Sequence, residues 1–169
     1  MKNFKYFPKN KKDLKLIIDK QIKKFGINAN LNDIDVSNVT DLSYLFMYSK
    51  FNGDISDWNV SNVTDMSWMF YNSKFNQDIS NWDVNNVINM NSMFEVSNFN
   101  QDISKWDISS VINMDYMFKC SNFNKNISNW FNKLNLNISL LNFGVLNKIA
   151  INSYDNFKQY HREMILKKL

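Results

Sequence analysis

Apolar and polar positions along the middle of this chain follow a pattern that returns every 24 residues. Trp58, Trp82, Trp106 and Trp130 keep that spacing, as do Phe51, Phe75, Phe99 and Phe123, and again Phe46, Phe70, Phe94 and Phe118. Residues 75–98 and 99–122 are identical at 16 of 24 positions. Units of this length have too little apolar surface to fold alone and bury it by stacking on their neighbours. Within Phe75 to Asn98, Trp82 and Val84 alternate around Asp83, which predicts a very short strand with two inward side chains. Val87, Met90, Met93 and Phe94 then fall at helical spacing and predict a turn or two of helix with one buried face. Phe75 and Ile79 anchor the return loop. The expected fold is an α/β solenoid, its short parallel strands separated by about 4.8 Å.

The flanks predict caps. Asn10 suits a helix N-cap, with Asp13 at the third helical position, and Gly26 closes a helix over 11–25. Leu14, Ile17, Ile18, Ile22 and Phe25 form its apolar stripe, which is expected to cover the open end of the stack. Ser153 starts a second capping helix over 154–168, with Phe157, Tyr160, Met164 and either His161 or Ile165 inward. The chain thus reads as an N-terminal cap (1–30), repeats (31–141) and a C-terminal cap (142–169) in one domain. The first unit is degenerate, with Leu31 where Ile55 stands and Ile34 where Trp58 stands. Beyond Trp130 the pattern fades into Leu134, Leu136, Ile138 and Leu141.

Composition narrows the function classes. Hydrophobics at 44% and aromatics at 15%, with 3 Gly and 1 Pro, argue for an ordered core. Cys120 is the single cysteine, so no internal disulfide is expected. Residues 1–25 carry nine lysines and no long apolar run, so neither a secretory signal nor a membrane span is expected. The expected location is cytoplasmic, or the cell surface if the native start lies upstream. The net charge of +4 conceals an uneven distribution. Residues 1–33 hold nine Lys and three Asp, whereas 51–130 hold four Lys, eight Asp and one Glu. The body is acidic and the ends are basic.

The run Phe-Asn-Gln-Asp-Ile-Ser-Asn-Trp-Asp-Val-Asn-Asn-Val at 75–87, leading into Asn-Met-Asn-Ser-Met-Phe at 89–94, resembles the BspA-like leucine-rich repeat family. This family was once described as a domain of unknown function in mycoplasma lipoproteins. Phe-Pro-Lys-Asn-Lys-Lys-Asp-Leu at 7–14 resembles the cap preceding such repeats. The resemblance covers about residues 31–130 and implies a right-handed leucine-rich-repeat-like solenoid engaged in adhesion or protein binding, often on bacterial surfaces. The Asn- and Lys-heavy composition points to an AT-rich genome, bacterial or phage.

Several polar columns run through the repeats. Asn52, Asn76, Asn100 and Asn124 suit inward amides bonded to the backbone of neighbouring units. Asp54, Asp78 and Asp102 suit Asx turns, and one carboxylate per unit is thin coordination for calcium. Asp35, Asn59, Asp83 and Asp107 would be the outward residues of the strands, flanked by Asp57, Asn81 and Lys105. Like charges aligned across a sheet are destabilising, so this face is a candidate surface for a basic protein partner. Met66, Met69, Met90, Met93, Met114 and Met117 read as core. Tyr44, Trp68, Ser92 and Tyr116 share a partly exposed column in which Trp68 is a candidate interface anchor.

Catalysis finds no support. His161 and Cys120 lie 41 residues apart, no phosphate-binding glycine loop occurs, and zinc lacks ligands. No cofactor or metal is expected. The lysines of the first helix suit a solvated cap face better than a nucleic-acid or membrane contact. The expectation is a non-enzymatic protein–protein interaction module of bacterial or phage origin. The alternatives are a mobile-element inhibitor of a nucleic-acid-processing enzyme and a surface adhesion protein.

Overall fold

The computed structural model describes residues 4–131. The expected C-terminal cap and the fading repeat beyond Trp130 lie outside them, apart from Phe131. Helix α1 spans Lys11–Phe25, between the two caps its sequence predicts. Asn10 Oδ1 accepts from the Asp13 N–H at 3.0 Å, and the Gly26 N–H, at φ 87°, donates to the Ile22 carbonyl at 2.8 Å. Leu14 and Ile18 are fully buried, while Ile17 and Ile22 pack at the margin. Two details differ from the expected stripe. Gln21 faces inward, and Phe25 is 59% exposed, with Lys24 Nζ 4.8 Å from its ring centre. The last turn of α1 extends past the core it covers.

Lys11 fastens the other end of this helix. Its Nζ lies 2.6 Å from Asp41 Oδ2 and 2.7 Å from Ser43 Oγ. A second attachment follows the helix, where the Asn52 N–H donates to the Ile27 carbonyl at 2.8 Å. Here the chain runs so close that a Cβ on Gly53 would land on the Ala29 carbonyl oxygen and 2.7 Å from Phe51 Cε2. Gln77 and Gln101 occupy the equivalent place in later units, where another unit rather than the cap lies alongside.

The expected solenoid of strands and short helices is overturned. Among the described residues there is α1, the short helix α2 (Ser128–Phe131) and no strand; only isolated parallel bridges join Asp41, Asp65, Asn89 and Asn113. At Trp82–Val84, the supposed strand, the Trp82 N–H turns back to the Ile79 carbonyl and the Val87 N–H to the Val84 carbonyl. Local turns use these donors, so no ladder forms there.

The supposed helix fails for a different reason. Tyr44, Tyr48, Trp68, Asn72, Ser92, Val96, Tyr116 and Cys120 all have positive φ, between 47° and 62°. A left-handed residue every fourth position cannot belong to a right-handed helix. It instead aims every second N–H at the next unit. Met66, Trp68, Phe70 and Asn72 donate to the carbonyls of Asn89, Asn91, Met93 and Glu95, at 2.9 Å each. Met69, Tyr71 and Ser73 between them donate three residues back within their own unit. The period of buried residues mimics a helix, but the backbone is a chain of turns whose hydrogen bonds run between units.

The core confirms the 24-residue register. Phe46, Phe70, Phe94 and Phe118 stack with centroids 5.6, 5.5 and 5.7 Å apart and planes within 3° of parallel. Phe51, Phe75, Phe99 and Phe123 form a second column at 6.2–6.3 Å. The two columns meet, as at Phe94 and Phe99, 4.0 Å apart. Burying one such ring stabilises by about 1.5–3 kcal/mol, and offset stacking adds to it. The indole N–H groups of Trp58, Trp82 and Trp106 donate to the carbonyls of Leu31, Ile55 and Ile79 at 3.0–3.1 Å, tying each unit to its predecessor. Met66, Met69, Met90, Met93, Met114 and Met117 are at most 1% exposed.

Two stability predictions result. Gly53→Gln makes the unit more like its successors, yet it should destabilise by about 1–3 kcal/mol because the Cβ has no room. Val96 is β-branched at φ 59°, so Val96→Asn, matching Asn72, should stabilise by about 1 kcal/mol. Urea unfolding of both variants checks the signs.

Candidate binding surface

The polar columns have one local chemistry in common. The N–H groups of Ser37, Ser61, Asn85 and Ser109 donate to Oδ1 of Asp35, Asn59, Asp83 and Asp107 at 3.0–3.2 Å. The expected outward strand residues are therefore turn residues that accept from the backbone two positions on. Asp54, Asp78 and Asp102 do the same for Ser56, Ser80 and Ser104 at 2.8–2.9 Å. The asparagine column binds between units: Asn52, Asn76 and Asn100 accept from the N–H of Asn76, Asn100 and Asn124 at 2.8–3.0 Å.

Every expected binding residue reaches the surface. Asp57, Asn59, Asn81, Asp83 and Lys105 are exposed, and Asp35, Asp107 and Trp68 are half-buried. Stacking in register places Asp35, Asn59, Asp83 and Asp107 in one row. Trp68 belongs to a separate row, ten positions further along the unit from Trp58.

A fourth polar column was not singled out from the sequence. Asp41 and Asp65 accept from Ser43 and Ser67 at 2.8 Å, and Asn89 and Asn113 take the same role in the next units. This is the row that carries the parallel bridges. Its signal was an Asp/Asn spaced by 24, hidden because Asp changes to Asn midway.

Around Trp68 the rings gather on the surface. Tyr44 stacks on Trp68 at 6.2 Å, Trp68 meets Tyr71 at 4.7 Å, and Tyr48 stands edge-on to Tyr71 at 5.4 Å. Tyr44 is 51% exposed and Tyr48 62%. The units then diverge: Ser92 stands where Tyr44, Trp68 and Tyr116 stand, and Glu95 follows where Tyr71 precedes it. Glu95, only 8% exposed, lies 3.6 Å from Lys119 Nζ, which sits 4.7 Å from the centre of the Tyr116 ring. Exposed aromatics and a charge pair thus break the repeat on one face. Among the described residues no group of three potential ligands could hold a metal ion, and no helix is long and apolar enough to cross a membrane.

The protein is thus a capped column of stacked turn units. The chain belongs to the family described as Mycoplasma protein of unknown function, DUF285, which it matches over residues 13–130. No curated protein and no solved structure matches it.

Three carboxyls titrate below their ordinary range. At Asp41, burial works to raise the value, but hydrogen bonds from Lys11 and Ser43 outweigh it. Burial at Asp54 is likewise outweighed by bonds from Ser56, and at Asp102 the Ser104 N–H leads the lowering. A carboxyl lowered on folding contributes stability fully above its unfolded value, 3.8, and loses it as pH falls through the folded value. The melting temperature should therefore drop on acidification below about pH 4. Lys11→Met, which removes the strongest lowering partner of Asp41, should make that drop shallower; thermal melts across the acid range measure both slopes.

Proposed function

We propose that this protein is a non-enzymatic protein–protein interaction module that binds a basic partner. The observation that carries this reading is a ring-rich patch on an acidic body. Tyr44, Tyr48, Trp68 and Tyr71 stand together at the surface, and the segment that follows Tyr48, 51–130, holds four Lys against nine carboxylates. Tyr and Trp concentrate at interfaces because each supplies large contact area at low conformational cost, and a field of one sign speeds encounter with the opposite sign. The row Asp35, Asn59, Asp83 and Asp107 extends the acidic surface. Resemblance of the repeat to BspA-like leucine-rich repeat proteins, which engage in binding, supports the same reading.

Charge can be removed from the row without touching its turns, because Asn59 already shows that an amide fills the role of the turn acceptor. Asp35→Asn, Asp83→Asn and Asp107→Asn together should keep the melting temperature within about 2 °C while weakening partner capture about tenfold. The check is affinity capture from a lysate of the source cells, with the captured protein identified. An acidic partner, or one held equally by the triple variant, overturns the proposal.

A further inference from the structure

Glu95 is the one buried carboxylate among the described residues. On one side it meets Lys119 at 3.6 Å, a long contact compared with the roughly 2.7–2.9 Å of a strong charged hydrogen bond. Lys119 is itself 46% exposed and only rests against the Tyr116 ring. On the other side, one unit earlier in the same column, stands Tyr71, tilted 51° to Trp68 and perpendicular to Tyr48. The Asn72 N–H donates to the Glu95 carbonyl at 2.9 Å, so Tyr71 and Glu95 are register neighbours in adjacent units. Cations among the described residues lie over Phe25 and Tyr116, and none over the Trp68–Tyr71 pair.

We propose that Trp68, Tyr71 and Glu95 form a site for an arginine side chain of an extended segment of the partner, on the side of Glu95 opposite to Lys119. The inference rests on the basic-partner reading above and names the chemistry that such a partner must present. A guanidinium is planar and weakly hydrated, so it lies flat on an indole or phenol face while its fork bonds a carboxylate at the edge. A lysine ammonium is a point charge without that fork, and Lys119 meets the carboxylate only at 3.6 Å. An incoming arginine therefore gives Glu95 a better ion pair and covers the half-buried rings of Trp68 and Tyr71 at the same time. Nucleic acid fits badly, because this segment carries an excess of negative charge.

The test uses nona-arginine and nona-lysine peptides as probes at physiological salt. Of the five tryptophans only Trp68 is not buried, so its fluorescence reports the site directly. The arginine peptide should shift that fluorescence and bind at least about tenfold tighter than the lysine peptide. Followed by titration calorimetry, since the first variant lacks the reporter, Trp68→Asn, whose backbone φ of 59° asparagine tolerates, should lose that preference, as should Glu95→Gln. Lys119→Met should tighten arginine binding several-fold and leave lysine binding little changed, because it frees Glu95 for a guanidinium, whereas mere charge attraction would raise affinity for both peptides alike. Equal binding of the two peptides, arginine preference surviving in Trp68→Asn, or no gain in Lys119→Met each overturns the site. If those results accompany capture of a basic partner that depends on Asp35, Asp83 and Asp107, the interaction reading stands and only the arginine site falls. Absence of any charge-dependent partner removes both.

Discussion

The structure depends on registration of one 24-residue unit on the next. Flat rings enforce it: a slip of one residue would lift Phe70 off Phe46 and Phe94 and bring Met69 or Tyr71 into their column. The same slip would break the inter-unit bonds, because only alternate N–H groups point that way. Ring stacking and backbone pairing therefore select the same register, and each makes the other selective. This double constraint explains why the buried phenylalanines and methionines change so little while surface positions drift.

Left-handed residues are the cost of this arrangement. Each unit places two side chains at positive φ, and most of those residues are not glycine or asparagine. The strain is offset by the inter-unit hydrogen bonds that these turns permit and by the core beneath them. It also has a consequence for the surface. A left-handed backbone pushes side chains 44, 48, 68 and 116 outward, and the rings of Tyr44, Tyr48 and Tyr116 are exposed on repeats that bury their phenylalanines.

The acidic rows and the aromatic patch do different work. Aspartates at the starts of turns are structural acceptors first, and their charge is what remains for a partner. The patch around Trp68, Tyr71 and Glu95 has no such structural duty in every unit, since Ser92 and Lys119 replace its members further along. A stack that repeats faithfully inside can vary outside, and the variation concentrates where recognition is proposed.

Much of this was legible in the chain. The repeat length, the stacked Trp and Phe columns, the Asn column between units, the Asx turns of Asp54, Asp78 and Asp102, and the caps of α1 all follow from side-chain chemistry at fixed spacing. The secondary structure was not. Buried positions such as Val87, Met90, Met93 and Phe94 recur at helical intervals in a helix and in a run of alternating turns alike, because spacing records which side chains face inward and not where the N–H groups point. The exposure of Phe25, the crowding at Gly53 and the meeting of Glu95 with Tyr71 and Lys119 were likewise invisible. Each depends on which unit or cap lies alongside, and contacts between residues 24 or more apart exist only once the units have stacked.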